Sequence, residues 1–204
     1  MKGRFVVLAS GRGSNFQAII DQIQNGTIQA TCTGLITDNP HAYAIERAKQ
    51  AGIATEILPY HSFPDKDRYE DTLMTVLSQH NPDLVVLAGY MRLLGTRIVN
   101  AYEGRMINIH PSLLPAFQGL HAQRQALEYG TKVAGCTVHF VTKEMDAGPI
   151  IIQRTVPVRE DDTEETLAER ILIEEHHAFP DAIRLFFEKR LRIEGRRVRI
   201  LPEP

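Results

Sequence analysis

The sequence predicts an α/β fold built on a mainly parallel sheet, on three observations. Apolar runs of strand length, Phe5 to Ala9 and Leu84 to Ala88, have the unbroken hydrophobicity of strands buried on both faces. Between such runs lie segments with apolar residues at helical spacing, such as Phe16, Ile19, Ile20 and Ile23. Strand and helix alternate as far as residue 110, the pattern of right-handed crossovers between parallel strands. The expected architecture is Rossmann-like: an open, mainly parallel twisted sheet flanked by helices, with an antiparallel hairpin towards the C-terminal part.

The elements follow in order. After the first strand, Gly11-Arg12-Gly13-Ser14-Asn15 turns into a helix. Cys32 to Thr37 reads as the second strand, ended by the turn Asp38-Asn39-Pro40, where Asp38 fits a turn aspartate better than a ribose-binding acid. His41 to Ala51 reads as a helix stopped by Gly52, and Ile53 to Leu58 as a third strand. Pro64 to His80 carries Tyr69, Leu73, Val76 and Leu77 at helical spacing and ends at Asn81-Pro82. Asp83 to Ala88 is the fourth strand, Ile98 to Tyr102 a short helix, and Met106 to His110 the fifth strand. Leu120 to Tyr129 reads as a helix closed by Gly130. Val133 to Val141 and Pro149 to Val158, joined by a short loop, read as the hairpin. Asp161-Asp162-Thr163 opens a long helix, which Pro180 is expected to kink or divide. Glu194-Gly195 is a hairpin signal in the tail, whose four arginines between 191 and 200 fit a solvated edge that discourages pairing better than a binding site.

The chemistry-bearing stretch is Met106-Ile107-Asn108-Ile109-His110-Pro111. Strand side chains alternate faces, so Asn108 and His110 point the same way, and Pro111 ends the strand where His110 emerges. An amide NH2 and an imidazolium are both donors, suited to an oxyanion forming on a carbonyl, and imidazole moves protons near neutral pH. The plainer reading is a turn-capping Asn108 and a satisfied surface histidine. Asp146, in the loop before Gly148, is able to turn towards His110. At Gly13-Ser14-Asn15, free backbone NH groups at a helix start suit an anion such as a phosphate monoester. The competing reading there is a glycine turn with Ser14 or Asn15 as helix cap. Neither a dinucleotide fingerprint nor a Walker loop fits, since Phe16 holds the third glycine position and no Gly-Lys-Ser/Thr follows. Gly89 to Leu94 leaves the C-terminal end of a strand, where α/β sheets bind ligands; a seat for a flat ring and ordinary core packing of Met91, Leu93 and Leu94 both stand.

Bulk composition narrows the classes. The chain has 204 residues, 43% hydrophobic, with net charge −2, enough for a real core and no argument for nucleic acid. Cys32 and Cys136 are isolated, as suits a reducing cytoplasm, and no apolar run is long enough for a membrane span or signal peptide. Eight histidines include no HExxH and no Cys/His cluster, and His176-His177, adjacent on a helix, face different ways, so no metal is expected.

Asn108-Ile109-His110-Pro111-Ser112-Leu113-Leu114-Pro115, followed downstream by Asp146-Ala147-Gly148-Pro149, resembles the folate-dependent formyltransferase family. Gly11-x-Gly13-Ser14-Asn15 is similar to its phosphoribosylglycinamide branch, and the resemblance runs from Phe5 to about Phe187. It implies formyl transfer from 10-formyltetrahydrofolate to the amine of N1-(5-phospho-D-ribosyl)glycinamide through a tetrahedral intermediate. Asn108, His110 and Asp146 take the catalytic roles in that resemblance, Asp146 favouring the imidazolium of His110. Gly13, Ser14 and Asn15 hold the phosphate, and Glu175 the glycinamide ribonucleotide. Lys66, Met91, Arg92, Leu93, Leu94, Asn108, Thr142, Lys143, Glu144, Met145 and Asp146 surround the folate. The family often has an arginine at Lys66, so a point charge replaces a bidentate fork there. Leu172 stands where a polar substrate contact is sometimes found, and that contact is not carried over. Residues 1–190 are expected to form one catalytic domain, with 191–204 as a hairpin and tail. The expected partners are small molecules, with no nucleic acid or membrane, and the protein is expected to be a cytoplasmic monomer or homodimer. With little sequence after the long helix or before the first strand, neither the added domain of a tRNA formyltransferase nor the regulatory domain of a formyltetrahydrofolate hydrolase is expected.

Overall fold

The structure is a computed structural model describing residues 2–203. The chain divides into two compact units, Met1–Ile107 and Asn108–Pro204.

In the first unit, β1 (Gly3–Leu8) pairs in parallel with β2 (Ala30–Thr37) and β4 (Leu84–Leu87), and β2 pairs in parallel with β3 (Thr55–Ile57). The helices between them are α1 (Ser14–Gln24), α2 (Ala44–Gln50) and α3 (Lys66–His80), with α4 (Thr96–Ala101) after β4. Phe5 to Leu8 and Leu84 to Val86 are inaccessible to solvent, as the apolar runs predict. Phe16 and Ile19 of α1 and Leu73 and Leu77 of α3 are equally buried, one stripe per helix. Asp65 caps α3 by accepting from the Arg68 N–H at 2.8 Å, and Asn81 ends it in the left-handed region ahead of Pro82.

β5 (Met106–His110) runs into the second unit, which continues with α5 (Ala122–Tyr129), β6 (Val133–Phe140), β7 (Ile150–Pro157), α6 (Glu164–Phe187), β8 (Leu191–Glu194) and β9 (Arg197–Ile200). β6 and β7 form the predicted antiparallel hairpin, with a register shift between Val138 and His139. α6 packs on both strands.

Of the two outcomes expected at Pro180, division is excluded: α6 is continuous from Glu164 to Phe187. Proline removes one backbone donor, but Ala178, Phe179, Ala182 and Ile183 around it are completely buried, and that apolar face holds the helix together. The tail forms the hairpin that Glu194-Gly195 signals, and its arginines do not keep it from pairing with β7. β8 and β9 pair as a hairpin, and β9 pairs in parallel with β7 at Ile150 and Arg197. Pairing uses backbone groups, and the side chains find other partners: Arg192 and Arg199 meet Glu194 at 3.2 and 2.6 Å, and Arg196 donates to the Ala147 carbonyl at 3.3 Å.

α6 starts at a capping box between Thr163 and Thr166. The preceding Asp162 accepts two 2.7 Å bonds from the Arg170 guanidinium. That fork, with help from the Arg159 N–H, holds the Asp162 carboxyl well below the usual carboxylate range. A depressed carboxylate stabilises the fold above its unfolded pKa and loses that contribution as pH falls through the folded one. Asp162→Asn is therefore expected to lower the melting temperature at pH 7, with the difference from wild type shrinking below about pH 4. A difference unchanged down to strongly acid pH would exclude the ion pair as its cause.

Candidate active site

β5 delivers Asn108 and His110 two residues apart on one face, and the chain leaves the strand at Pro111 as expected. His110 is not a surface histidine: it is 6% exposed. Its Nδ1 lies 3.4 Å from Asp146 Oδ2, and its Nε2 donates to the Phe117 carbonyl at 2.9 Å. Both ring nitrogens face oxygen acceptors, which the imidazolium satisfies and a neutral ring only half satisfies.

Asp146 reaches His110 because the loop between β6 and β7 bends back. Its backbone sits in the left-handed region at φ 50°, uncommon for a residue with a side chain and the kind of local strain that clusters at functional sites. The Gly119 N–H donates to its Oδ2 at 2.9 Å, and the Gln118 amide donates to its backbone carbonyl at 3.1 Å. The loop after β5 is thus tied to the carboxylate. Thr137 on β6 fixes the start of that loop. Its buried hydroxyl donates to the Ser112 carbonyl at 2.6 Å and accepts from the Leu114 N–H and the Gln153 amide, each at 3.0 Å.

His139 belongs to the same cluster and was not singled out by its sequence position. It is 2% exposed, with Nε2 3.2 Å from Asn108 Nδ2 and 3.8 Å from Asp146 Oδ1. Its Nδ1 faces the Phe140 carbonyl at 3.0 Å. Burial holds this imidazole below its ordinary pKa; the Phe140 bond and the Asp146 charge oppose that, and His110 adds to it. The signal was available: Thr137 and His139 are polar residues two apart in an otherwise apolar strand, the same pattern that marks Asn108 and His110.

Of the other predicted residues in this unit, Thr142 donates to the Glu144 carbonyl at 3.2 Å, while Lys143, Glu144 and Met145 are exposed along the loop before Asp146. Glu175 is buried on α6. An apolar cavity of about 390 Å³ lies among Leu113, Phe117, Ala126, Tyr129 and Val133, with neither His110 nor Asp146 in its wall.

In the first unit, the glycine turn ends with Gly13 in the left-handed region at the N-cap of α1, so neither Ser14 nor Asn15 occupies the capping position. The turn is braced from α2: the Ala44 N–H donates to the Gly11 carbonyl at 3.1 Å and Arg47 Nε to the Arg12 carbonyl at 2.9 Å. A side chain at Gly13 would collide with Ala44 Cβ at 2.7 Å. Met91 and Leu93 are about two-thirds exposed, which excludes core packing for them, and Leu94 is half-buried. Arg92 donates to Asp38 Oδ2 at 2.6 Å and lies over the Tyr60 ring at 4.2 Å, so Asp38 is a buried ion-pair partner and not a plain turn residue. Met91 N–H donates to Ser10 Oγ at 2.9 Å. Lys66 pairs with Glu70, which also accepts from the Gly95 N–H at 2.7 Å. No described helix is long and apolar enough to cross a membrane.

A carboxamide, an imidazole and a carboxylate gathered at a strand end define a site able to stabilise an oxyanion and move a proton. The chain matches the formyl transferase family over residues 3–183 and belongs to that family. It is 45% identical over 188 residues to the phosphoribosylglycinamide formyltransferase of Escherichia coli (strain K12), covering 92% of this chain and 89% of that protein. It is 42% identical over 184 residues to the trifunctional purine biosynthetic protein adenosine-3 of Homo sapiens, covering 90% of this chain but only 18% of that longer protein. The solved structure of glycinamide ribonucleotide transformylase 1 from Symbiobacterium toebii matches with a TM-score of 0.96 and 53% identity, over 98% of this chain and 95% of that one.

Proposed function

We propose that this chain transfers a formyl group from 10-formyltetrahydrofolate to the amine of N1-(5-phospho-D-ribosyl)glycinamide, a step of de novo purine biosynthesis. The observation that carries the reading is the approach of Asp146 to His110 beside Asn108 on one strand face, in a member of the formyl transferase family.

The neutral amine attacks the formyl carbon, and the carbonyl oxygen becomes an oxyanion in the tetrahedral intermediate. Asn108 and protonated His110 donate to it. The His110 Nε2–H already faces an oxygen, the Phe117 carbonyl, and the oxyanion takes that acceptor's place. Asp146 stabilises the charged ring. A proton then passes from the attacking nitrogen to the leaving folate nitrogen, through His110 or a water held by Asp146. No step calls for a metal. Gly13, Ser14 and Asn15 bind the substrate phosphate, supported by the place of Gly13 at the N-cap of α1, where the first backbone N–H groups of the helix suit an anion. Glu175 binds the glycinamide ribonucleotide. Lys66, Met91 to Leu94 and Thr142 to Asp146 hold the folate, supported by the exposure of Met91, Leu93 and Met145.

Purified protein with both substrates is expected to release tetrahydrofolate, followed by absorbance, in proportion to formylated ribonucleotide. Turnover only with water or with charged tRNA as acceptor moves the chain to another branch of the family. Ser14→Ala is expected to raise KM for the ribonucleotide about tenfold, the scale of a hydrogen bond to a charged group, and to leave KM for the folate unchanged. Equal effects on both would put the phosphate elsewhere.

A further inference from the structure

His139 has no part in the steps above, yet it is buried against two of the three groups that carry them. The register shift between Val138 and His139 sets it apart from the regular ladder of β6; such irregularities re-aim side chains next to active sites. We propose that His139 is a positioning residue: its unprotonated Nε2 fixes which end of the Asn108 carboxamide faces it, and so where the amide donors point. This rests on the formyl-transfer reading.

The tautomer of His139 decides which end of the amide it accepts. A carbonyl oxygen only accepts, so the 3.0 Å contact with Phe140 puts a proton on Nδ1. Burial disfavours the charged ring, so Nε2 carries a lone pair. A lone pair 3.2 Å from the Asn108 amide accepts from Nδ2–H. The flipped amide would set Oδ1 against Nε2, acceptor to acceptor. The terminal torsion of asparagine is broad and roughly two-fold, so rotamer preference alone selects neither end. His139 supplies the selection, leaving the second Nδ2–H to be directed at substrate oxygen.

The test compares His139→Leu with His139→Gln, whose side-chain carbonyl offers an acceptor in place of Nε2. His139→Leu is expected to lower kcat about ten- to a hundred-fold with KM for both substrates within about threefold, and His139→Gln to recover most of that loss. In an Asn108→Ala background, His139→Leu is expected to cost less than about twofold, since the group it positions is gone. Multiplicative losses in the double variant, or equal losses in the Leu and Gln variants, overturn the proposal. If His139→Leu does not fold, nitrogen NMR of the wild-type ring decides: a protonated Nδ1 with a bare Nε2 at neutral pH supports it, and the opposite tautomer or a charged ring overturns it. That readout needs no turnover. Absence of formyl transfer in the wild type would count against the proposed function while leaving the tautomer to be judged separately.

Discussion

His110→Ala is expected to lower kcat about a thousand-fold, the combined scale of a lost oxyanion donor and a lost proton carrier. Two interactions vanish with the ring: the 3.4 Å approach to Asp146 and the 2.9 Å bond to the Phe117 carbonyl. The loop after β5 keeps other ties, since Gly119 still donates to Asp146 and Thr137 still holds Ser112 and Leu114. The cost in stability should therefore stay at about 1–2 kcal/mol, the scale of a buried hydrogen bond. The signature is a collapsed kcat with KM nearly unchanged, because the lost interactions belong to the transition state. A variant within tenfold of wild type would remove His110 from the chemistry.

Gly148→Ala is expected to cost about 3 kcal/mol or more in stability and most of the activity with it. A Cβ at Gly148 would lie 1.7 Å from the Phe140 carbonyl oxygen and 2.8 Å from its carbon. That carbonyl is backbone and cannot swing aside as a flexible side chain would. The same carbonyl receives the His139 Nδ1 proton, and the Phe140 N–H donates to Pro149 at 2.9 Å. Relief of the clash must therefore move the hinge that carries Asp146 or the strand end that carries His139. For a chain of this size, 3 kcal/mol is a fall in Tm of roughly 6–12 °C. Gly11→Ala is the control, since nothing lies within 4 Å of its added Cβ. Equal Tm values for the two variants would contradict the close-packing account.

Both effects concern residues whose importance the sequence exposed unequally. Asn108 and His110 were legible because strand periodicity and Pro111 fix their shared face. The first βαβ passage was legible because Phe5 to Ala9 and the Phe16, Ile19, Ile20 stripe carry two distinct periods. Gly148 read only as a loop residue near Asp146, since its role depends on a carbonyl eight residues earlier. His139 passed as one more residue of a strand. Its meaning comes from Asn108, 31 positions away. The Asp38–Arg92 pair spans 54 positions, and the pairing of β9 with β7 joins segments that no local pattern connects. The division after Ile107 falls inside a strand, with no linker composition to announce it. Local propensity reaches elements and faces; partners distant in sequence come from packing.

The most direct measurement is a crystal structure with the ribonucleotide and a non-transferring folate analogue bound together. The account predicts the carbonyl-like oxygen of the analogue about 3 Å from both Asn108 Nδ2 and His110 Nε2, with Asp146 still against the imidazole. Both ligands bound with that oxygen out of reach of Asn108 and His110 would contradict it.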